Sequence, residues 1–367
     1  MKRYLFIVAA AAIAAVSCSK TYDTNRKAGE GMPIALGTWS DVMTRAPRTG
    51  FAANDEFDVF GFKWNAGPAD QTTVFNGDDV KYDGTAWIYT PIRFWDKNFA
   101  NYTFFAAFPK DQLAAGVYAQ NGLFVSNELT YDGENEVLLV AQKKDVANAA
   151  YGTQVPLVFK HAASLVDIKF KKHSNLTKAA VKVTSIAISG VQTKGKYTVA
   201  SYDGSNNPVG KTVSGVDGLG WELAATPVVN ASPAVAPYKN DSEVSLAADA
   251  GVGTSNAADL ISNLVVMPQV LAKDAGPMIT ISYAITTGTS PNEETITYTD
   301  KTFYLGEFDK TDPDPDDKDN TDPRIASWMP GVHYTYYITI NANTIDFTAS
   351  VAEWNTTDAT GHYYLIN

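Results

Sequence analysis

From residue 57 onward one pattern recurs along the chain and limits what it can fold into. Short runs of apolar and aromatic residues alternate with polar ones, and each run is closed by Gly, Asn, Asp or Pro. Residues 58–64 (DVFGFKW), 101–108 (NYTFFAAF), 181–188 (VKVTSIAI) and 279–285 (ITISYAI) are examples. Successive side chains of a strand point to opposite faces, so a period of two marks a strand with one buried side. The clearest case is residues 333–340, where Tyr334, Tyr336, Ile338 and Ile340 share one face. Many short β-branched and aromatic strands separated by turn residues predict a mainly β chain built of sandwiches. Convincing long amphipathic helices are few; residues 111–120 and 136–150 could each hold a short one.

The N-terminus is different. Lys2 and Arg3 precede an apolar, alanine-rich run that ends at Ala15-Val16-Ser17-Cys18. A charged start, a short apolar segment and small residues before a cut site describe a secretory signal peptide. The run of about a dozen residues is too short to span a bilayer as a helix. Cys18 after small residues resembles the lipobox of bacterial lipoproteins, in which the thiol is acylated and becomes the new N-terminus. Ala15 stands where leucine is commoner, and a plain signal peptide with an incidental cysteine is the alternative. Cys18 is also the only cysteine. If it carries lipid, the folded part has no disulfide, no thiolate nucleophile and no Cys-ligated metal, although the compartment is extracytoplasmic. Stability then rests on buried apolar surface, for which 45% hydrophobic residues, with 19 Tyr, 17 Phe and 7 Trp, supply the material. The net charge of −11 argues against nucleic acid and against adsorption to anionic lipid. A membrane would be reached through the lipid anchor.

Beyond Cys18 a polar tether (19–31) leads to residues 32–39 (MPIALGTW). There Met32, Ile34 and Leu36 alternate with Pro33, Ala35 and Gly37. This reads as a short strand, with Pro33 tolerated near its start. Arg45 and Arg48 follow in an exposed, breaker-rich loop. A domain boundary is expected near residues 155–161, where an apolar strand pattern restarts after a polar stretch. Residues 201–260, rich in Gly, Ser, Asn, Ala and Asp, read as long loops with a few strands. Residues 309–323 (DKTDPDPDDKDNTDP) are acidic and too proline-rich to pair within a sheet.

Chemistry is sparse. His161, His173, His333 and His362 are scattered, with no His-Glu-x-x-His arrangement, no Gly-x-Ser-x-Gly elbow and no phosphate loop. Residues 215–220 are glycine-rich but lack the required spacing and read as a turn. No enzyme and no cofactor are expected. His161, beside apolar strand residues, reads as a core or interface histidine rather than a catalyst. Asp312, Asp314, Asp316 and Asp319 invite a calcium site. The EF-hand pattern fails, because a loop counted from Asp312 places Lys318 and Pro323 at ligand positions and lacks the glycine. A solvated acidic loop is the favoured reading.

Taken in order, several segments resemble the fimbrillin family of Bacteroidetes, the pilins and pilin-like lipoproteins of type V pili. They are Ile92-Arg93-Phe94-Trp95 with residues 102–109 (YTFFAAFP), 157–162 (LVFKHA), 264–269 (LVVMPQ), 328–336 (WMPGVHYTY) and the stretch from Ile345 to Glu353-Trp354. They follow a lipoprotein-like leader and a Thr44-Arg45-Ala46 site. The resemblance implies two tandem transthyretin-like Greek-key β-sandwiches. The expected division is 1–17 signal peptide, 18–45 lipidated pro-segment with the first strand, 46–156 first sandwich, and 157–367 second sandwich with a C-terminal donor or tail. It implies an outer-membrane lipoprotein precursor whose first strand (32–39) fills its own sandwich. An arginine-specific protease would cut after Arg45, or less favourably after Arg48, and the vacated groove would take a strand from a neighbouring pilin subunit. The donor would be the C-terminal tail, residues 346–367, whose last stretch with Tyr363, Tyr364, Leu365 and Ile366 is unusually apolar for a free end. Docking of that tail on its own domain is the alternative. The mature protein would lie at the cell surface or in a pilus, with a host or bacterial receptor as a further partner. The competing function is a monomeric surface lipoprotein that binds glycan or another ligand through exposed aromatics such as Trp64, Trp87 and Trp221.

Overall fold

The structure is a computed structural model that describes residues 31–39, 51–114, 123–131, 138–225, 238–247, 256–310, 324–341 and 345–353. Its first strands are β1 (Leu36–Trp39), β2 (Glu56–Trp64), β3 (Thr72–Tyr82), β4 (Trp87–Ile88), β5 (Asn101–Phe108), β6 (Phe124–Val125), β7 (Leu129–Thr130), β8 (Leu139–Ala147) and β9 (Val155–His161). There follow β10 (Ser164–Lys172), β11 (Ala180–Ser189), β12 (Lys194–Tyr202), β13 (Pro208–Val213), β14 (Val216–Gly218), β15 (Trp221–Leu223), β16 (Lys239–Asn240) and β17 (Val244–Leu246). The last are β18 (Ala258–Val266), β19 (Met278–Thr287), β20 (Glu294–Tyr304), β21 (Asp309–Lys310), β22 (Val332–Ile340) and β23 (Ile345–Glu353). The chain is nearly all β, as the alternating runs predict.

The strands form four sheets. A seven-stranded sheet runs β1-β9-β8-β5-β2-β3-β4, and its buried face carries Phe57, Val59, Phe75, Phe104, Leu157 and Phe159. Two five-stranded sheets, β18-β10-β22-β23-β21 and β16-β11-β19-β20 with β17 on β11, enclose a second core. That core includes Ile168, Ile186, Ile281, Trp328, Tyr336 and Ile338. The fourth sheet, β14-β13-β12-β15, adds β6 and β7 through β12 and lends Tyr197, Val199 and Trp221 to the first core. The division expected between residues 156 and 157 falls inside β9, and the sheet changes only after His161. The chain then returns to the first core through β12.

Alternation predicts β22 well. Tyr334, Tyr336, Ile338 and Ile340 are all buried, as expected for a strand paired on both edges, with β10 and β23. The helix expected over 136–150 does not form. Its described part is β8, a strand between β5 and β9, closed by a short 3-10 turn at Asn148–Ala150. Leu139, Val140, Ala141 and Gln142 are all buried, so no alternation marks them as strand. Residues of good helix propensity there yield to pairing on both edges. Of the other helix candidate, residues 111–114 form a turn with a bridge from Leu113 to Ser126, and 115–120 lie outside the described residues.

Candidate functional site

The feature that sets the first sheet apart is the way it is completed by residues 31–39. β1 pairs with β9 in parallel, Leu36 opposite Val155 and Trp39 opposite Val158. A parallel neighbour cannot be the other arm of a hairpin, so this pairing joins parts of the chain far apart in sequence. Ile34 and Leu36 are 1% and 2% exposed within the first core, whereas Met32 is 40% exposed. Burial of the two side chains stabilises the seated strand by about 3–6 kcal/mol.

The strand is hydrogen-bonded on both sides. Towards β9, the Val155 amide donates to Ala35 O at 2.8 Å. The Gln154 side chain reaches over Gly37 and donates to Leu36 O at 3.0 Å. On the other side stands the segment after β4. Pro33 bridges Phe94 in antiparallel fashion, the Ile34 amide donates to Arg93 O at 2.9 Å, and the Trp95 amide donates to Met32 O at 2.8 Å. The Tyr89 hydroxyl donates to Ile34 O at 2.6 Å, and the Trp87 indole donates to Thr38 Oγ1 at 2.7 Å. Residues 32–39 thus lie in a slot walled by β9 and by residues 87–95.

Aromatic side chains line the slot. Trp95 stacks on Tyr151 with ring centroids 4.6 Å apart and meets Tyr102 edge-on at 4.8 Å. Trp87 packs on Phe51 and Phe57 at 5.0 and 4.8 Å. Burial pushes the Tyr151 phenol up to about 12, so it stays a neutral hydrogen-bond donor, held by Phe99 O at 2.8 Å. Arg93 bonds Asp78 Oδ2 through Nε at 3.1 Å and Nη2 at 2.8 Å, which ties the middle of the wall to β3. Asp78 follows Gly77, whose φ of 77° accompanies a register shift between β2 and β3. Such a bulge re-aims the next side chain.

The tryptophans proposed as an exposed platform do not form one. Trp64 and Trp221 are buried at 5% and 0% exposure, and Trp87 is half-buried in the packing just described. The Trp221 indole donates to Ala162 O at 2.6 Å. Trp221 is packed against the rings of Tyr131 and Tyr197 in the first core. A cleft beside Trp221 also has Gln192, Glu222 and Gln269 on its wall. Gln269 already exchanges hydrogen bonds with the Gln192 main chain, and Glu222 pairs with Lys211.

His161 ends β9 as a buried residue. Desolvation, with the nearby Lys160 charge, pushes its imidazole down to about 3, so it is neutral at ordinary pH. His333 is buried against Asp167, Nε2 to Oδ2 at 3.0 Å, across the β10–β22 ladder. Among the described residues no group of three or more His, Cys, Asp or Glu could hold a metal. Cys18, Arg45, Arg48, the acidic residues Asp312, Asp314, Asp316 and Asp319, and the tail residues Tyr363, Tyr364, Leu365 and Ile366 lie outside the described residues. The sequence reading missed Tyr89, Arg93 and Gln154 as partners of the first strand. The one local signal was an apolar stretch, residues 87–95 (WIYTPIRFW), where a connection should be polar.

Comparison with known proteins adds a family. A sequence profile described as fimbrillin-like matches residues 44–354. No curated protein matches the chain. Among solved structures, the chain is similar to a fimbrial protein from Bacteroides vulgatus at 19% identity and a TM-score of 0.55, over 88% of this chain and 99% of that one. A candidate cell adhesion protein from Bacteroides uniformis aligns at 15% identity and a TM-score of 0.43, over 88% of this chain and 99% of that one. A fimbrilin from Porphyromonas gingivalis aligns at 10% identity and a TM-score of 0.39, over 89% and 98%. At such identities the first likeness speaks to the fold alone.

Proposed function

The chain belongs to the fimbrillin-like family, and from that premise we propose that it is a structural or adhesive pilus subunit that polymerises by β-strand exchange. It is exported as a precursor acylated on Cys18 and held at the outer membrane, and the mature subunit works at the cell surface. An arginine-specific protease cuts after Arg45, with Arg48 as the lesser site. Residues 18–45, carrying both lipid and first strand, then depart. The acyl anchor is a delivery address for the precursor rather than part of the working subunit. A neighbouring subunit supplies the replacement strand from its tail, with Tyr363, Tyr364, Leu365 and Ile366 as the anchors. The body consists of two tandem sandwiches of the transthyretin-like Greek-key kind, the first taking in β9 through His161 and joined by the returning β12 and β15.

One observation carries this reading. The first strand seats two buried side chains, Ile34 and Leu36, in a slot whose walls come from β9 and from residues 87–95, and that arrangement supports a strand that can be exchanged. Its loss would uncover apolar surface and a row of unpaired backbone groups, so departure and replacement should be coupled. The test is limited proteolysis of the full chain with an arginine-specific protease. One cut near Arg45 followed by SDS-resistant ladders is the expected result. A cut product that stays monomeric, with deletion of residues 361–367 merely lowering its stability, would overturn the proposal.

A further inference from the structure

The two walls of the slot are built differently. β9 is paired with β8 along its far edge and belongs to the main sheet. Residues 89–95 form no named strand. Their ends are pinned by buried rings, Tyr89 against Phe75 at 5.1 Å and Trp95 against Tyr151. Between those pins the segment is open to solvent, with Ile92 and Phe94 50% and 38% exposed. The polar tie that secures this middle part is Arg93 to Asp78, two charge-assisted hydrogen bonds to one carboxylate oxygen. The same residue, Arg93, presents the carbonyl that receives the Ile34 amide. Fixing its guanidinium therefore fixes the main-chain acceptor that grips the first strand.

We propose that residues 89–95 are a strap over the seated first strand, latched by the Arg93–Asp78 pair, and that the strand leaves only when this latch lets go. Arg93 is a positioning residue: it acts through its own carbonyl and through the adjoining Phe94–Pro33 bridge. β9 cannot yield without breaking the β8 ladder, so the strap is the wall with the smaller cost of opening. The inference rests on the strand-exchange reading. Because Asp78 and Arg93 are partly open to water, the latch weakens with salt, which surface or solvent-facing pairs do and fully buried pairs do much less.

Two measurements test it. In the uncut full chain, amide hydrogen exchange at Ile34 and Trp95 reports strap opening, with β5 amides as the reference for global unfolding. Arg93→Ala and Asp78→Asn should each speed exchange at Ile34 and Trp95 about tenfold while β5 amides hold, the size expected for lost charge-assisted bonds. The double variant should go no further, and Arg93→Lys should fall in between. Raising salt from about 0.05 to about 0.5 M should speed exchange in the wild type but not in Asp78→Asn. After an arginine-specific cut, the peptide carrying residues 32–39, followed by size exclusion and mass spectrometry, should leave the variants faster by the same factor. Equal exchange in wild type and both single variants would overturn the latch. If exchange responds but the peptide leaves cut wild type and cut variants at one rate, the strap is not the exit. If the peptide stays in all of them, strand exchange itself fails, and the exit role fails with it.

Discussion

Replacing Ile34 by Ala separates a strand that matters to the precursor from one that matters to the assembled subunit. Ile34 is 1% exposed, its amide is held by Arg93 O and its carbonyl by the Tyr89 hydroxyl. The substitution removes three carbons and leaves both main-chain bonds possible. At about 0.8 kcal/mol per buried methylene the transfer loss is about 2.4 kcal/mol. The cavity left in the first core raises this to about 3–5 kcal/mol. The full chain, uncut, should lose that amount in urea unfolding. Local release ahead of global unfolding would show first as faster exchange of the Val155 amide, which the strand protects through Ala35 O. On the strand-exchange proposal Ile34 leaves with the cut segment, so polymers from Ile34→Ala and wild-type chains should dissociate at the same denaturant concentration. A precursor loss below about 1 kcal/mol would refute the packing argument. Polymers weakened as much as the precursor would show that the first strand remains in place, which refutes exchange.

Three further substitutions address the site and its supports. Asp58, desolvated in β2 while accepting the Asp111 amide at 2.9 Å, has its carboxyl raised to about 6 from 3.8. The folded chain thus holds a proton that the unfolded chain has released, and stability present below about pH 4 is lost as pH rises through about 6. Asp58→Asn, which keeps an acceptor, should match wild type near pH 4 and exceed it by up to about 3 kcal/mol at pH 7.5; a less stable variant at pH 7.5 would contradict this. Asp167 is the opposite case. Burial alone would raise it, but bonds from His333 and the Asn263 amide hold it below the ordinary carboxylate value. Asp167→Ala should cost about 1–3 kcal/mol at pH 7 by leaving the buried His333 ring and the Asn263 amide without their acceptor. Wild type should lose this advantage only as pH falls below about 4, and an equal gap at pH 2 and pH 7 would count against the assignment. At Gly37 an added methyl would sit 2.7 Å from both amide heavy atoms of Gln154. Gln154 is exposed and can swing aside, so Gly37→Ala should cost about 1 kcal/mol, the value of its bond to Leu36 O. The same change in a Gln154→Ala chain should cost almost nothing, and an undiminished cost there would remove Gln154 from the account.

The strands were legible where apolar side chains alternate with polar ones in the sequence. β22 and β19 carry their pattern in the sequence, because Tyr336 and Ile338, or Ile279 and Ile281, belong to the second core while alternate neighbours such as Thr335, Thr339 and Ser282 are polar even though buried. β8 was not legible because its start, Leu139-Val140-Ala141, offers no polar residue to alternate with. Its first four residues are buried on both faces, so the period of two disappears and Ala, Gln and Lys read as helix. The tryptophans show a different limit. Composition counts Trp64, Trp87 and Trp221 but says nothing of which surface they lose; for Trp221 the return of β12 and β15 to the first core decides it, and for Trp87 the rings of Phe51 and Phe57 do.

The candidate site falls between these cases. Residues 32–39 announce a strand, since Ile34 and Leu36 alternate with small residues. Nothing within them announces a slot. The slot exists because two distant segments converge, one in parallel through Val155 and one in antiparallel through Phe94. Neither pairing has a turn to mark it, as a hairpin would. What the sequence does hold is a mismatch: residues 87–95 are apolar, yet they lie where a connection between strands should be polar. Tyr89 and Trp95 resolve that mismatch by burying their rings, and Ile92 and Phe94 leave it unresolved at the surface. A connection with buried ends and an exposed apolar middle is costly to keep unless the middle has a task. Holding the amide of Ile34 and the carbonyl of Met32 is such a task, and it applies only while the first strand is in its seat.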